Sequence, residues 1–457
     1  MTISSAQPTV YVVHCVDTEG PLAESLTATF ERLNAIFGIN LPATPATLAA
    51  LQSDKVSCGV DPHALRKLLD PHLLSYKRNW QELNAMLATI TSPEFRTKTH
   101  DADGRGWRYN WFCVDHVGYV ANPRERDLGH HRIFDRYMQL VSLPENSTDQ
   151  VYFHYHPLPF NQMAHACATS YFNGNHLYEI LARKVIERSW FPTLFRPGFH
   201  TTRPDSNWFL EQWLPFDYAN QATDVQVDQP DLASGRFGDW RRAPKIWGAY
   251  HPSHDDYQTP GNCRRWIFRC LNMQARLRQL EPADVTSAFA QAVHEGSAVL
   301  AFTNHDFRDM VSEIDTVRGM IHDIACSWPD VRIEYSSALH AARCHLNLDG
   351  SRQLGLEMSW ATAGGSGNRE LTVTCDRPLF GPQPFLAIED QAGNFYHDNF
   401  DFTMSPTEWR YRFDWQTFPP EQLQAVGVAA TGAAGEVEVA VWRRDSDEHL
   451  LTRWDIA

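Results

Sequence analysis

Apolar runs of strand length alternate with amphipathic stretches through the first 345 residues, and this alternation constrains the fold more than any other feature. Continuous apolar strands separated by helices are typical of a parallel sheet covered on both faces, either a closed barrel or a doubly wound sheet. The predicted strands are 9–17, 109–116, 150–156, 193–197, 216–220, 298–305 and 331–336. The predicted helices between them are 22–37, 79–90, 134–141, 175–187, 264–280 and 314–326.

The pattern changes after His345. From residue 346 to 457 we find short alternating segments punctuated by turn signals such as Gly381-Pro382. Regularly spaced short strands predict a β-sandwich. We therefore expect an α/β domain over residues 1–345 and a β-sandwich accessory domain over residues 346–457. The predicted strands of the second domain are 354–360, 370–375, 384–389, 409–413, 425–429 and 436–442.

Charge and composition exclude several classes of function. The 457 residues carry a formal net charge of −15 and no basic block, so we expect no nucleic-acid partner. No apolar run approaches the roughly 18 residues of a membrane helix, and the first residues lack the features of a secretory signal. Nine cysteines without CxxC spacing argue against a disulfide framework or a zinc ribbon. We expect a cytoplasmic protein.

Two pairs of polar residues at strand ends point to a metal centre. Asp17 ends the first predicted strand and Glu19 follows two positions later, and because alternate side chains of an extended chain share a face, both should point the same way. Burying two carboxylates is costly unless a metal, a proton or a cation compensates. His154 and His156 form a second such pair at the end of the strand 150–156. Each pair alone could be a cap or a turn, but carboxyl ends of parallel strands meet at one rim. The two pairs together predict three metal ligands, with the remaining carboxylate as general base.

Two other strand ends carry residues suited to the same chemistry. Arg196, in the strand 193–197, would hold the general-base carboxylate in a charge-assisted pair and keep its pKa low. His305 ends the strand 298–305 and would protonate a leaving group. The adjacent His305-Asp306 also fits an HD-type metallophosphatase, in which both residues bind metal from a helix, although the strand-like run before them argues against it.

Candidate substrate-binding residues lie in polar segments between these elements. Asn122 and Arg124 belong to a polar loop after the second predicted strand, and Phe199 follows the Pro-Gly turn after the fourth. Asp239 and Trp240 lie in a long polar and aromatic insertion before the last strands. For any single residue of this group, a solvated loop is the competing interpretation.

The strand-end motifs, in this order, resemble those of NodB-type polysaccharide deacetylases, the carbohydrate esterase family 4 group. In particular, the chain is similar to the divergent branch found among lipopolysaccharide O-antigen biosynthesis proteins. The resemblance covers roughly the first three quarters of the chain, the extent of one large domain. The matching positions are Asp17 and Glu19 for the paired acids, His154 and His156 for the metal histidines, Arg196 for the arginine motif and His305 for the terminal histidine motif.

The resemblance implies an irregular (β/α) barrel of about seven parallel strands, in agreement with the seven runs predicted above. It also implies metal-dependent hydrolysis of a carbon–nitrogen bond, which removes an N-acyl group from an amino sugar of a bacterial surface polysaccharide or its precursor. By this match Asp17 would be the general base, and Glu19, His154 and His156 would bind one divalent metal ion, zinc before others. His305 would then protonate the departing amine.

Two departures from the family pattern leave alternatives open. The family's adjacent acids are separated here by Thr18, so either acid could be the base. The two histidines are two positions apart rather than three or four, so His130 or His131 could replace one of them. Two other functions also stay open: a non-catalytic carbohydrate-binding or assembly protein on the same fold, and the HD-type metallophosphatase.

Overall fold

A computed structural model of the protein describes residues 7–223, 238–274, 279–362, 367–446 and 449–454. Up to residue 346 the described part is a mixture of strands and helices, in which five helices follow β1 and most later strands are separated by a helix. In chain order the elements of this part are β1 (Thr9–Thr18), α1 (Leu26–Phe37), α2 (Pro45–Gln52), α3 (Pro62–Leu68), α4 (Trp80–Ile90), α5 (Pro93–Arg96), β2 (Asn110–Cys113), α6 (Arg132–Val141), β3 (Gln150–Tyr155), α7 (His176–Arg188), β4 (Leu194–Pro197), α8 (Pro204–Trp213), β5 (Phe216–Asn220), β6 (Ala249–Tyr250), β7 (Trp266–Asn272), α9 (Pro282–Glu295), β8 (Ser297–His305), α10 (Met310–Ala325), β9 (Arg332–Tyr335) and α11 (Ala338–Leu346).

Seven parallel strands close into a barrel, in the order β1, β2, β3, β4, β5, β7 and β8. One edge of β1 is shared by two neighbours, because β2 pairs with residues 15–18 and β9 pairs with residues 9–12. The ring therefore closes at the carboxyl end of β1, while β9 separates β1 from β2 at the other end. Asn110 bridges this fork, since its side chain donates to the His14 carbonyl at 3.1 Å and accepts from the Ala338 amide at 2.7 Å.

Six of the seven ring strands are those that the sequence predicts, and the seventh is not. The predicted strand 331–336 is β9, which pairs with β1 outside the ring. The seventh ring strand is β7, so the predicted helix 264–280 is wrong over residues 266–272, and residues 275–278 lie outside the described part. Arg269 lies in the middle of this strand. In the structure it is buried and donates to the Ala222 carbonyl and the Asp284 carboxylate, at 2.8 and 2.9 Å.

The helices begin and end at capping residues. Ser25 precedes α1 and its hydroxyl accepts from the Ala28 amide at 3.2 Å, while Gly38 ends the helix in the left-handed conformation with a φ of 68°. Asn79 caps α4 in the same way, with its side chain accepting from the Glu82 amide. No helix in the described ranges is both long enough and apolar enough to span a membrane.

After α11 the described strands pair only in antiparallel fashion. They form a four-stranded sheet in the order β10, β11, β15, β14 and a five-stranded sheet in the order β13, β12, β16, β17, β18. All six predicted segments contribute a strand, whereas the sequence prediction missed β13, β14 and β18. The bounds are β10 (Glu357–Thr362), β11 (Arg369–Thr374), β12 (Phe385–Asp390), β13 (Phe395–Asp398), β14 (Asp401–Phe402), β15 (Glu408–Phe413), β16 (Leu423–Thr431), β17 (Val437–Arg443) and β18 (His449–Trp454).

The two antiparallel sheets share one buried core, to which Leu371 of the first and Ile388 of the second both belong. The opposite face of the second sheet packs on α7, where Phe385 joins the apolar cluster of the barrel helices. The approach is close, since a Cβ added to Gly427 would lie 2.5 Å from a methyl carbon of Val185. The second sheet is therefore fixed against the barrel wall by apolar contacts.

Strand register brings the polar strand ends together. In the parallel ladders Asp17 lies beside His305 across β1 and β8, and His154 lies beside Arg196 across β3 and β4. All four residues stand at the carboxyl ends of their strands. The barrel therefore collects them at one rim, which is where ligands bind in parallel α/β folds.

Candidate metal centre

Asp17 and Glu19 both face one cavity of about 390 Å³ at the carboxyl end of the barrel. The residue between them points away, since the Thr18 hydroxyl donates to the Phe112 carbonyl at 2.9 Å. Side-chain alternation along extended backbone therefore sets the two carboxylates on one face, as the sequence predicts.

Glu19, His154 and His156 form a buried group that could hold a metal ion. The two Nε2 atoms are 2.9 Å apart, and Glu19 Oε1 lies 3.5 Å from that of His156 and 3.9 Å from that of His154. Tetrahedral ligands at zinc-type bond lengths of about 2.0–2.1 Å stand about 3.3 Å from one another. The three observed separations bracket this value, so small side-chain movements would let these residues hold a divalent ion.

Backbone carbonyls orient two imidazoles around this group. The His154 Nδ1–H donates to the Arg196 carbonyl at 2.9 Å, which leaves the Nε2 lone pair directed toward Glu19 and His156. A metal-binding histidine usually has this arrangement, because the second nitrogen fixes the tautomer. His116 donates from Nε2 to the Glu19 carbonyl at 3.1 Å, and burial, reinforced by Arg126, lowers the pKa of His116 to about 3.

Arg196 holds Asp17 by both carboxylate oxygens. The Nε and Nη2 atoms lie 2.6 and 3.0 Å from Oδ1 and Oδ2, and both side chains are buried. Burial alone would raise the pKa of Asp17, but Arg196 and His154 outweigh it and hold the pKa well below its usual range. Asp17 is therefore an ionised, immobile carboxylate at neutral pH.

His305 stands at the edge of the group and Asp306 behind it. The His305 Nε2 lies 3.6 Å from Glu19 Oε1, and burial lowers the pKa of His305 to about 4. The Asp306 carboxylate accepts from the Glu19 and Gly20 amides, at 3.0 and 2.9 Å, and from the Tyr137 hydroxyl at 2.8 Å. Asp306 thus braces the backbone that carries Glu19.

Arg126 forms an ion pair with the Glu19 oxygen that faces away from the histidines. Its Nη2 lies 2.6 Å from Glu19 Oε2, while Oε1 faces the histidines. Burial would raise the pKa of Glu19, but Arg126 and His156 hold it well below the ordinary value. Glu19 therefore presents a charged oxygen to the cavity.

The predicted substrate-binding residues divide into two groups. Arg124 and Phe199 line the cavity. Asn122 does not line it, because its side chain closes its own loop on the Arg126 amide and carbonyl, each at 2.8 Å. Asp239 instead pairs with Arg241, and the buried Trp240 ring donates to the His200 carbonyl at 3.0 Å.

His130 and His131 do not join the metal group. His130 lies 3.3 Å from a Glu179 oxygen, and His131 Nε2 lies 2.6 Å from a Glu187 oxygen. Both acids belong to α7, on the outer wall of the barrel. These two histidines therefore serve helix packing, and the alternative in which one of them replaces His154 or His156 has no support in the geometry.

Sequence reasoning missed several residues that contact the group or line its cavity, among them Arg126, His116 and His200. Arg126 lies within the polar loop that the sequence already marks as a candidate cleft, but nothing in the pattern distinguishes it from Arg124. His116 is the last residue of the predicted strand 109–116 and His200 lies three residues after β4, and no sequence pattern marks either as a site residue. His200 lines the cavity beside Phe199, and both have a φ of 52°, a strained conformation for residues other than glycine.

Comparison with known proteins does not identify a family. No protein-family model matches the chain, and no curated protein sequence matches it significantly.

Proposed function

We propose that the protein is a metal-dependent hydrolase that removes an N-acyl group from an amino sugar of a bacterial surface polysaccharide or its precursor. The observation that carries the proposal is the meeting, in one cavity, of an arginine-held carboxylate, a Glu-His-His group and a histidine. These are the parts that amide hydrolysis by a metal enzyme needs. The order of the motifs and their place at strand ends support a NodB-type deacetylase.

The geometry supports a division of labour between the two acids. Both oxygens of Asp17 are engaged by Arg196, whereas Glu19 keeps Oε1 directed at the histidines. We therefore assign Glu19 to the metal and Asp17 to proton transfer. Zinc is the proposed ion, because two imidazoles and one carboxylate with an open position are a usual catalytic zinc set.

The chain's own residues then carry the proton transfers. A divalent ion held here would lower the pKa of a bound water and polarise the amide carbonyl. Asp17 accepts a proton from the attacking water as the carbon–oxygen bond forms, and Arg196 keeps its carboxylate in place. His305 is neutral at pH 7, because burial lowers its pKa to about 4. It therefore takes up a proton during the reaction, from Asp17 or from solvent, since its side chain is 28% exposed, and passes it to the nitrogen as the carbon–nitrogen bond breaks.

The HD-type metallophosphatase receives no support from the geometry. That chemistry needs the carboxylate of Asp306 on the metal beside His305. Asp306 instead accepts three hydrogen bonds from Glu19, Gly20 and Tyr137 and is not part of the metal group.

The test combines metal analysis with hydrolysis of a panel of N-acetylated amino sugars, measured as acetate release. We expect one zinc per chain and turnover in the native protein. Asp17→Asn should keep the zinc and lose turnover by about 10²–10⁴-fold, the usual contribution of a general base. His154→Ala should lose both. The matched control is Asp239→Asn, a carboxylate outside the cavity, which should change neither.

Two results would overturn the proposal. Full turnover by Asp17→Asn would remove the base assignment. A native protein that binds no stoichiometric metal and releases no acetate from any panel member would favour the carbohydrate-binding or assembly role instead.

A further inference from the structure

Four arginines line the cavity that contains the metal group. Arg32 comes from α1, Arg124 and Arg126 come from the loop between β2 and α6, and Arg308 follows β8. They belong to three separate parts of the chain. The fold therefore gathers guanidinium groups beside the metal site, where none is needed to bind an ion.

These arginines have hydrogen-bonding capacity to spare. Buried N–H groups without a hydrogen-bond partner among the described residues are Arg126 Nε and Nη1, Arg124 Nε, Arg32 Nη1 and Arg308 Nε. Arg126 and Arg308 are each only 9% exposed. Since buried donors are nearly always paired in native proteins, these groups indicate a ligand that accepts hydrogen bonds.

The balance of charge also favours an anionic ligand. The carboxylates that line the cavity are Asp17, Glu19, Glu24 and Glu31, which match the four arginines in number. Asp17 is already neutralised by Arg196, so three carboxylates remain against four guanidinium groups. A divalent ion would add two positive charges. The occupied cavity would then carry an excess of three positive charges.

Burial and repulsion among these cations lower the pKa of basic groups that lie close to them. Burial, with Arg32 as the next cause, lowers the pKa of Arg124 to about 10. Burial and then Arg124 lower the pKa of the neighbouring His165 to about 4. A ligand with more than one negative charge would relieve this repulsion.

We propose that the arginine side of the cavity binds a phosphate or diphosphate ester group of the substrate, so that the amino sugar is processed while attached to a phosphate carrier. This inference rests on the proposed function. Guanidinium groups bind phosphate oxygens bidentately, and a dianion suits the charge excess better than one carboxylate. Arg126 contacts Glu19 at 2.6 Å. A phosphate group bound to Arg126 would therefore lie next to the metal group, where the N-acyl group of the substrate reacts.

Binding of inorganic pyrophosphate to the metal-free protein, measured by isothermal titration calorimetry, tests the site without turnover. A chelator removes the metal ion, so the measured heat cannot come from pyrophosphate binding to a metal. Arg124 is the residue to change, because its side chain is 3.7 Å from Glu24 and does not touch a metal ligand. We expect Arg124→Met to weaken pyrophosphate binding at least tenfold. The control Arg132→Met removes an equal charge from an exposed arginine outside the cavity and should leave affinity within twofold.

A second arm measures kcat/KM of the zinc-loaded protein. The substrates are a free N-acetylated amino sugar, its 1-phosphate, its nucleoside diphosphate ester and a lipid diphosphate ester in detergent. We expect kcat/KM for the phosphate esters to exceed that for the free sugar by at least tenfold, and Arg124→Met to abolish this difference. The ester with the highest kcat/KM identifies the carrier. Failure of pyrophosphate to bind, or equal rates for free and phosphorylated sugar, would overturn the inference. Pyrophosphate binding without hydrolysis of any amide would instead overturn the proposed function.

Discussion

The ion pair between Arg196 and Asp17 gives the sharpest test of the structure, through the substitution Arg196→Met. Arg196 is fully buried and engages both oxygens of Asp17. Its Nη1 donates to the Tyr218 carbonyl and contacts the Cys270 sulfur. Methionine fills similar volume but leaves the carboxylate and the carbonyl without these partners.

The expected loss of unfolding free energy follows from the groups that Arg196→Met leaves without a partner. Breaking a buried ion pair by removing one partner costs about 3–5 kcal/mol, because the remaining charge is uncompensated. The unpaired Tyr218 carbonyl adds about 1–3 kcal/mol. Since whole proteins are stable by only about 5–15 kcal/mol, Arg196→Met brings the chain close to unfolding. Arg196→Lys keeps the charge but not the planar fork, so we expect a loss of about 1–2 kcal/mol.

Urea unfolding at pH 7, followed by tryptophan fluorescence in the presence of a chelator, measures these losses. A double-mutant cycle with Asp17→Asn isolates the pair. Because the neutral amide needs no counter-charge, Arg196→Met should cost at least 2 kcal/mol less in the Asp17→Asn background. Strictly additive losses, or a loss below 1 kcal/mol for Arg196→Met alone, would refute the reasoning.

Two shorter predictions concern other positions. A Cβ at Gly198 would lie 2.4 Å from Cδ2 of His156, so Gly198→Ala should weaken zinc binding at least tenfold in a competition titration with a fluorescent chelator. Gly319→Ala has open space and should leave zinc affinity unchanged. Burial raises the pKa of Glu313 to about 7, so the folded protein keeps a proton that the unfolded chain releases. The unfolding free energy should therefore decrease as the pH rises from about 4.5 to 7, by up to about 1.4 kcal/mol per pH unit from this group. In urea titrations at several pH values, Glu313→Gln should reduce this dependence of the unfolding free energy on pH.

Strand-end chemistry was readable from the sequence because it depends on local geometry. The period of two along a strand decides that Asp17 and Glu19 share a face, and the same holds for His154 and His156. Apolar runs then decide that both pairs stand at carboxyl ends of parallel strands. No tertiary information is needed for either step.

The residues that the sequence did not reveal act over long separations in the chain. Arg126 meets Glu19 from a loop more than a hundred residues along the chain, and Asp306 braces the Glu19 amide from the far end of the barrel domain. The strand β7 was hidden for a related reason. The guanidinium of its Arg269 donates hydrogen bonds to the Ala222 carbonyl and to Asp284, and these partners cannot be predicted from the sequence around Arg269.

The spacing of the acids follows from where the histidines are. The neighbouring strands are in register, with Thr18 of β1 beside Cys113 of β2 and Cys113 beside Phe153 of β3, so the next residues, Glu19 and His154, stand at the same height. The strand β2 is only four residues long and ends before the cavity, which lets Glu19 reach His154 and His156 over it. Two histidines at i and i+2 present both imidazoles from one strand face, and acids at i and i+2 do the same from β1. Adjacent acids in this extended backbone would turn one carboxylate to the opposite face, because a shift of one residue reverses side-chain direction. Thr18 is therefore the spacer that keeps Asp17 and Glu19 on one face of the extended backbone at the end of β1, as Tyr155 does for His154 and His156 at the end of β3.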